Sequence, residues 1–190
     1  MKKDLGVIPA VFPMPVLMVS TYDENGVVNV MNAAWGMNSD MNQISLFLTE
    51  THKTVQNIKA VKAFTVSIAD RDHISEADYF GIASGNKTPD KFERTGLHAE
   101  KSKFVNAPVI EEFPLSIECE LESIIKEDNY FVVVGKVLNV CAEERVLDEN
   151  GKVNPQKLHA ILFDQFQSGY YEIGEKVGQA WHDGKKYIEE

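Results

Sequence analysis

The run Asp23-Glu24-Asn25-Gly26 constrains the fold of this chain more than any other feature. Asn-Gly favours the positive φ angles of a tight hairpin turn, and here it separates two apolar runs, Val16 to Thr21 and Val27 to Ala33. The chain therefore begins its ordered part with an antiparallel strand pair. Gln43 to Thr49 and Ala63 to Ile68 read as further strands, both rich in β-branched and large apolar residues. Between them, Lys53 to Lys62 places Val55, Ile58 and Val61 or Lys62 near one helical face, with Thr49 and Thr51 as capping candidates. Ile74 to Ile82 and Asp90 to Thr95 read as short helices around the loop Ser84-Gly85-Asn86-Lys87-Thr88-Pro89.

The second half returns to β structure. Leu115, Ile117, Cys119 and Leu121 alternate with polar residues, the two-residue period of a strand with one wet face. Its hairpin partner across Glu127-Asp128-Asn129 is Phe131 to Ala142, apolar on both faces and therefore expected at the centre of a sheet. Lys157 to Phe166 reads as helical or mixed. Strands outnumber helices throughout, so the expected class is mainly β with inserted helices: an antiparallel, Greek-key-like barrel rather than a doubly wound sheet. With 190 residues and no linker or repeat, residues 1–190 are expected to form a single domain.

Charge and composition exclude several functions. A net charge of −10 without a Lys/Arg block interleaved with aromatics opposes nucleic-acid binding. The apolar runs fall short of the roughly 18 residues a membrane-spanning helix needs, and the start of the chain lacks the apolar core of an export signal. A cytoplasmic protein is expected. In the hairpin, Cys119 would face about residue 136 and Cys141 about residue 114, too far apart for a disulfide, so both are expected as buried thiols of a reducing compartment. The five histidines show no metal-ligand spacing and neither cysteine belongs to a C-x-x-C, so no metal site is expected. No G-x-G-x-x-G follows a strand, and Ser84-Gly85 lacks the context of a hydrolase elbow.

The ordered set of motifs resembles the FMN-binding split-barrel family, in its flavin reductase-like and flavoredoxin-like branch. It comprises Pro13-x-Pro15-Val16-Leu17, the hairpin Ser20 to Gly26, Asn29-Val30-Met31-Asn32-Ala33-Ala34-Trp35, His52-Lys53-Thr54-Val55-Gln56-Asn57-Ile58, Ser84-Gly85 with Asp90-Lys91-Phe92, and Val132 to Val137. The resemblance implies FMN as cofactor and NADH or NADPH as possible electron donor. It also implies a homodimer with FMN at the interface.

Physical chemistry gives these motifs unequal support. A phosphate calls for backbone N–H groups, a hydroxyl and a cation; a helix start at Thr51-His52-Lys53-Thr54 offers all three. A solvated helix start would account for the same residues without a ligand. With the resemblance, Lys53 and Thr54 are assigned to the phosphate, supported by Asn57, with His52 beside them. The strand through Asn29, Met31, Asn32 and Ala33 into Trp35 offers a flat apolar wall with polar edges for the isoalloxazine ring, although a tryptophan also buries for packing alone. Lys91, in the Asp-Lys-Phe motif, is the stronger of two further cations, with either the phosphate or the ring as its target; Lys87 is the weaker, equally explained as a surface lysine. Phe163, with Tyr170, Tyr171 and Trp181, would either cover the ring or partner surface or pack onto the barrel.

One departure bears on mechanism. Similar flavin reductases carry Gly-Asp-His where this chain has Glu127-Asp128-Asn129, and their histidine lies near the flavin and nicotinamide. Asn129 can donate and accept hydrogen bonds but cannot carry a proton at neutral pH. The leading expectation is an FMN oxidoreductase that takes electrons from NAD(P)H and passes them to an acceptor. The alternatives are an FMN electron carrier served by a redox partner protein, and a non-enzymatic flavin-binding sensor.

Overall fold

The computed structural model describes residues 1–188. Its elements in chain order are β1 (Met14–Pro15), β2 (Leu17–Tyr22), β3 (Val28–Ala33), β4 (Gly36–Asp40), β5 (Gln43–Leu48), α1 (Lys53–Val61) and β6 (Ala63–Ile68). They continue with α2 (Ile74–Ile82), β7 (Ala99–Lys101), β8 (Pro108–Ile110), β9 (Leu115–Lys126), β10 (Phe131–Ala142), α3 (Pro155–Leu158), β11 (Ile161–Asp164) and β12 (Gly169–Glu172). Seven strands form one antiparallel sheet in the order β3-β2-β6-β9-β10-β5-β4.

That order dictates the shape. β3 and β4 are the two edges of the sheet, yet only Ala34 and Trp35 join them in sequence. So short a link spans only about 10 Å when extended. The sheet must therefore roll up until its edges approach, which yields a split barrel. Gly36 marks the approach: a Cβ there would come within 2.8 Å of Leu17 Cδ1 on β2 and 2.7 Å of Leu46 Cδ2 on β5. Leu17, Val19, Leu46, Phe64, Val66 and Val133 fill the interior, and α1 adds Val55 and Ile58. A second core, with Met18, Val30, Phe80, Phe92, Ile110 and Ile161, lies where α2, β8 and β11 cover the outside of β2 and β3. β11 and β12 pair with β1 in a separate three-stranded sheet.

Several expectations need correction. The Asp23–Val27 loop is wider than a two-residue turn, and only Gly26 is left-handed, at φ +80°. Asp23 explains this: its Oδ1 accepts from the N–H groups of Asn25 (2.8 Å) and Val27 (2.9 Å), so the carboxylate organises the turn. Helix α1 begins one residue after His52, not at a threonine cap, and the His52 side chain makes no capping bond. Asp90 to Thr95 contains only a 3-10 turn over Glu93–Thr95, and Lys157 to Phe166 divides between the end of α3 and β11.

β10 is an interior strand but not buried along its length. Its pairing with β5 ends at Lys136 opposite Gln43, while β9 continues alongside to Ala142. Beyond Lys136 the pair runs on as a two-stranded ribbon, and Leu138, Val140 and Cys141 are exposed. Cys141 is thus not the buried thiol expected. Cys119 is buried opposite Val137, and burial pushes its thiol up to about 12. Both cysteines are free.

Gly135 sits at the bulge where β10 shifts register. A Cβ there would overlap the buried Phe64 ring and lie 3.1 Å from Cys119 Cβ. Gly135→Ala is expected to destabilise the protein by about 1–3 kcal/mol through overpacking. Chemical denaturation would show this as a lower midpoint with an unchanged slope.

Candidate functional site

The cleft at the start of α1 owes its shape to two segments that meet there. The first is the helix start. The amides of Lys53 and Thr54 fall in its first turn, where an α-helix leaves N–H groups without an intrahelical acceptor. The second is the stretch from Phe80 through Gly85, which leaves the end of α2 and crosses in front of that start. Asn86 pins it down by donating from Nδ2 to Thr51 O at 2.8 Å. Gly85 permits the closeness, because a Cβ there would overlap Asn29 Oδ1 and lie 3.2 Å from the Lys53 stem.

A cavity of about 250 Å³ results, walled by Asn29, Met31 and Asn32 of β3, by His52, Lys53 and Thr54, and by the crossing segment with Lys91. Its charge is positive. Lys91 is only 2% exposed, and its ammonium donates to Ala83 O (2.8 Å) and Phe80 O (3.3 Å), the carbonyls at the end of α2. Among the described residues no carboxylate pairs with it, and burial lowers its pKa to about 8. Burial, then the charge of Lys91, lowers that of His52, whose buried Nδ1 has no partner. Lys53 lies at the rim, 3.9 Å from Asp23 Oδ2. Thr54 Oγ1 accepts from Asn29 Nδ2 at 2.9 Å, which leaves its own proton free to donate. A helix start, a hydroxyl and two ammonium groups fit a phosphate monoester.

The chain matches the model of the flavin reductase like domain over residues 10–169. It belongs to the flavin reductase-like family. Among solved structures it is similar to flavoredoxin of Desulfovibrio vulgaris (Miyazaki F), at 33% identity and a TM-score of 0.93, covering 97% of this chain and 100% of that one. It is also similar to flavoredoxin from Methanosarcina acetivorans, at 23% identity and a TM-score of 0.89, covering 98% of this chain and 100% of that one. An uncharacterised protein of Aquifex aeolicus is 28% identical over 165 residues, 82% of either chain.

Within this family member, the residues expected at the site divide into groups. Asn29, Met31, Asn32, His52, Lys53, Thr54 and Lys91 converge on the cleft. Trp35, 55% exposed, and Asn129 instead line a separate apolar groove of about 790 Å³, together with Val11, Met37, Phe47 and Tyr130. Ala33 is 7% exposed and packs in the barrel core, because strand alternation turns it inward. Asn57 is 2% exposed and donates to Thr21 Oγ1 at 3.0 Å, so its amide ties α1 to β2 rather than serving the cleft. Phe163 packs on Tyr170 between β11 and β12, and Lys87 is exposed just beyond the crossing segment. Neither lines the cleft. Sequence reasoning missed the backbone wall from Phe80 to Ala83; the only signal was the pair Gly81 and Gly85, four residues apart.

Proposed function

We propose that this chain is an FMN-dependent oxidoreductase that takes electrons from NADH or NADPH and passes them to an acceptor. The observation that carries the reading is the basic cleft at the start of α1, closed by Gly85 and backed by the unpaired Lys91 ammonium. When bound, FMN would supply reversible two-electron chemistry. The protein's part is to bind and orient: the amides of Lys53 and Thr54, the Thr54 hydroxyl and the charges of Lys53 and Lys91 would hold the phosphate, and the β3 edge from Asn29 to Asn32 would receive the ring. Met31 offers no side-chain hydrogen-bond donor, so a hydrogen bond to flavin N5 would come from backbone or water.

A second reading, an FMN electron carrier reduced by a partner protein, is favoured by two observations. The likeness to the Desulfovibrio flavoredoxin extends over nearly the whole chain, and Asn129 cannot move a proton. Anaerobic mixing separates the two. Purified protein is expected to be yellow or to bind added FMN at micromolar concentration, and rapid bleaching by NADH or NADPH alone supports the enzyme. Bleaching that needs an added reductase supports the carrier. Colourless protein that ignores FMN contradicts both. The proposal includes a cytoplasmic homodimer with FMN at its interface, supported by exposed Val11, Phe12, Trp35 and Met37 around the apolar groove. Light scattering is expected to return the mass of two chains.

A further inference from the structure

The side chain of Asn32 is held in one orientation by groups outside the cleft. Its Nδ2 donates to Ala77 O on α2 at 2.9 Å. A carbonyl oxygen only accepts, so the nitrogen of the amide, never its oxygen, faces the helix. Tyr170 of β12 lies against the same amide and donates its own proton to Asp78 Oδ1 at 2.9 Å. With that proton committed to a carboxylate, the Tyr170 oxygen presents lone pairs towards Asn32 and favours the amide nitrogen a second time. Burial and Asp78 push the Tyr170 hydroxyl up to about 12, so it stays a donor to Asp78 across the physiological range. Gly81, one turn beyond Ala77, leaves room for this packing: a Cβ there would lie 3.4 Å from Asn32 Cβ.

The consequence is a polarity at the cleft wall. The Asn32 Nδ2 is turned to α2, where it donates to Ala77 O, with the Tyr170 oxygen beside the same amide, and among the described residues no donor reaches its Oδ1. With Nδ2 held at α2, Asn32 leaves its Oδ1, an acceptor, for the cleft that it lines. Such a group selects a ligand N–H or O–H and rejects an acceptor or a methyl at the same place. Oxidised isoalloxazine carries a single ring N–H, at N3.

We propose that Asn32 recognises the flavin imide N3–H through Oδ1, with Tyr170 and Asp78 as the positioning residues that fix the amide. This rests on the FMN reading above. Ribityl hydroxyls share the donor chemistry, and methylation at N3 separates the two, since 3-methyl-FMN keeps the ribityl chain and the phosphate.

The test is titration of the full chain with FMN and with 3-methyl-FMN. Wild type is expected to bind the methylated flavin about tenfold or more weakly, the loss from one unsatisfied buried acceptor. Asn32→Ala should bring the two affinities together. Tyr170→Phe, which removes one hydroxyl and keeps the ring packed, should narrow the ratio because the amide is no longer held. That ratio would not move if Tyr170 served stability alone. Equal affinities in wild type overturn the proposal while leaving the FMN reading intact, as does full discrimination in Asn32→Ala. Full discrimination in Tyr170→Phe overturns the positioning role. Failure of wild type to bind either flavin overturns both readings.

Discussion

Gly85→Ala is expected to weaken FMN binding by about 10- to 100-fold while leaving the barrel folded. The added Cβ would overlap Asn29 Oδ1 and press on the Lys53 stem at 3.2 Å. Asn29 cannot swing aside without cost, since it is buried and its Nδ2 donates to Thr54 Oγ1. The segment that carries Gly85 must therefore lift away from α1, working against the Asn86 bond to Thr51 O. Lifting it separates Lys91 from the helix start, and a phosphate can no longer reach both. Calorimetric titration measures the loss of affinity. A thermal melt without ligand is expected to change little, because the crossing segment lies outside the barrel interior. An unchanged dissociation constant would mean that the closeness of the two segments has no part in binding.

The second large effect concerns Lys91. Burial takes its pKa from 10.5 to about 8, which corresponds to a penalty on the order of 3 kcal/mol for the charged form in the folded protein. Because the folded value lies below the unfolded one, the unfolded chain binds more protons between pH 8 and 10.5. Stability of the ligand-free protein should therefore rise with pH across that window, and the penalty is fully present below it. An anionic ligand reverses the preference by favouring the charged lysine. FMN affinity should be greatest below pH 8 and decline as the pH passes upward through that value. Lys91→Met is expected to remove both dependences and to cost FMN about 100-fold in affinity, as the loss of a buried charge-assisted contact does. Riboflavin, which lacks the phosphate, should lose far less. Denaturation between pH 7 and 10, with flavin titrations at the same values, checks both signs. If riboflavin and FMN weaken equally, Lys91 addresses the ring rather than the phosphate.

Strands and helix α1 were legible because their signals are local. The alternation in Leu115 to Leu121, the Asn-Gly turn and the Val55/Ile58 stripe each depend on neighbours in sequence, and each marks an element observed. β4 escaped because Gly36-Met37-Asn38-Ser39-Asp40 has no β-branched residue; it pairs with β5 only because the two-residue link to β3 delivers it there. The site was legible as a set of residues but not as a division among them. Thr54 and Asn57 look alike as polar residues near a helix start. Register turns Asn57 towards Thr21 and lets Thr54 line the cleft. Trp35 lies two residues beyond the end of β3, yet the turn into β4 carries it to the apolar groove. Lys91 could be read as a cation, whereas its anchoring by the carbonyls of α2 depends on where that helix ends. The contact of Tyr170 with Asp78 joins residues too far apart in sequence for any local pattern to reveal it.

The central claim is that the start of α1, closed over by Gly85 and backed by Lys91, is the flavin phosphate site. A crystal structure of the protein with FMN tests it most directly. The phosphate is expected within hydrogen-bonding distance of the Lys53 and Thr54 amides and the Thr54 hydroxyl, with Lys91 beside it. A phosphate found elsewhere, such as in the groove between Trp35 and Tyr130, would contradict the account.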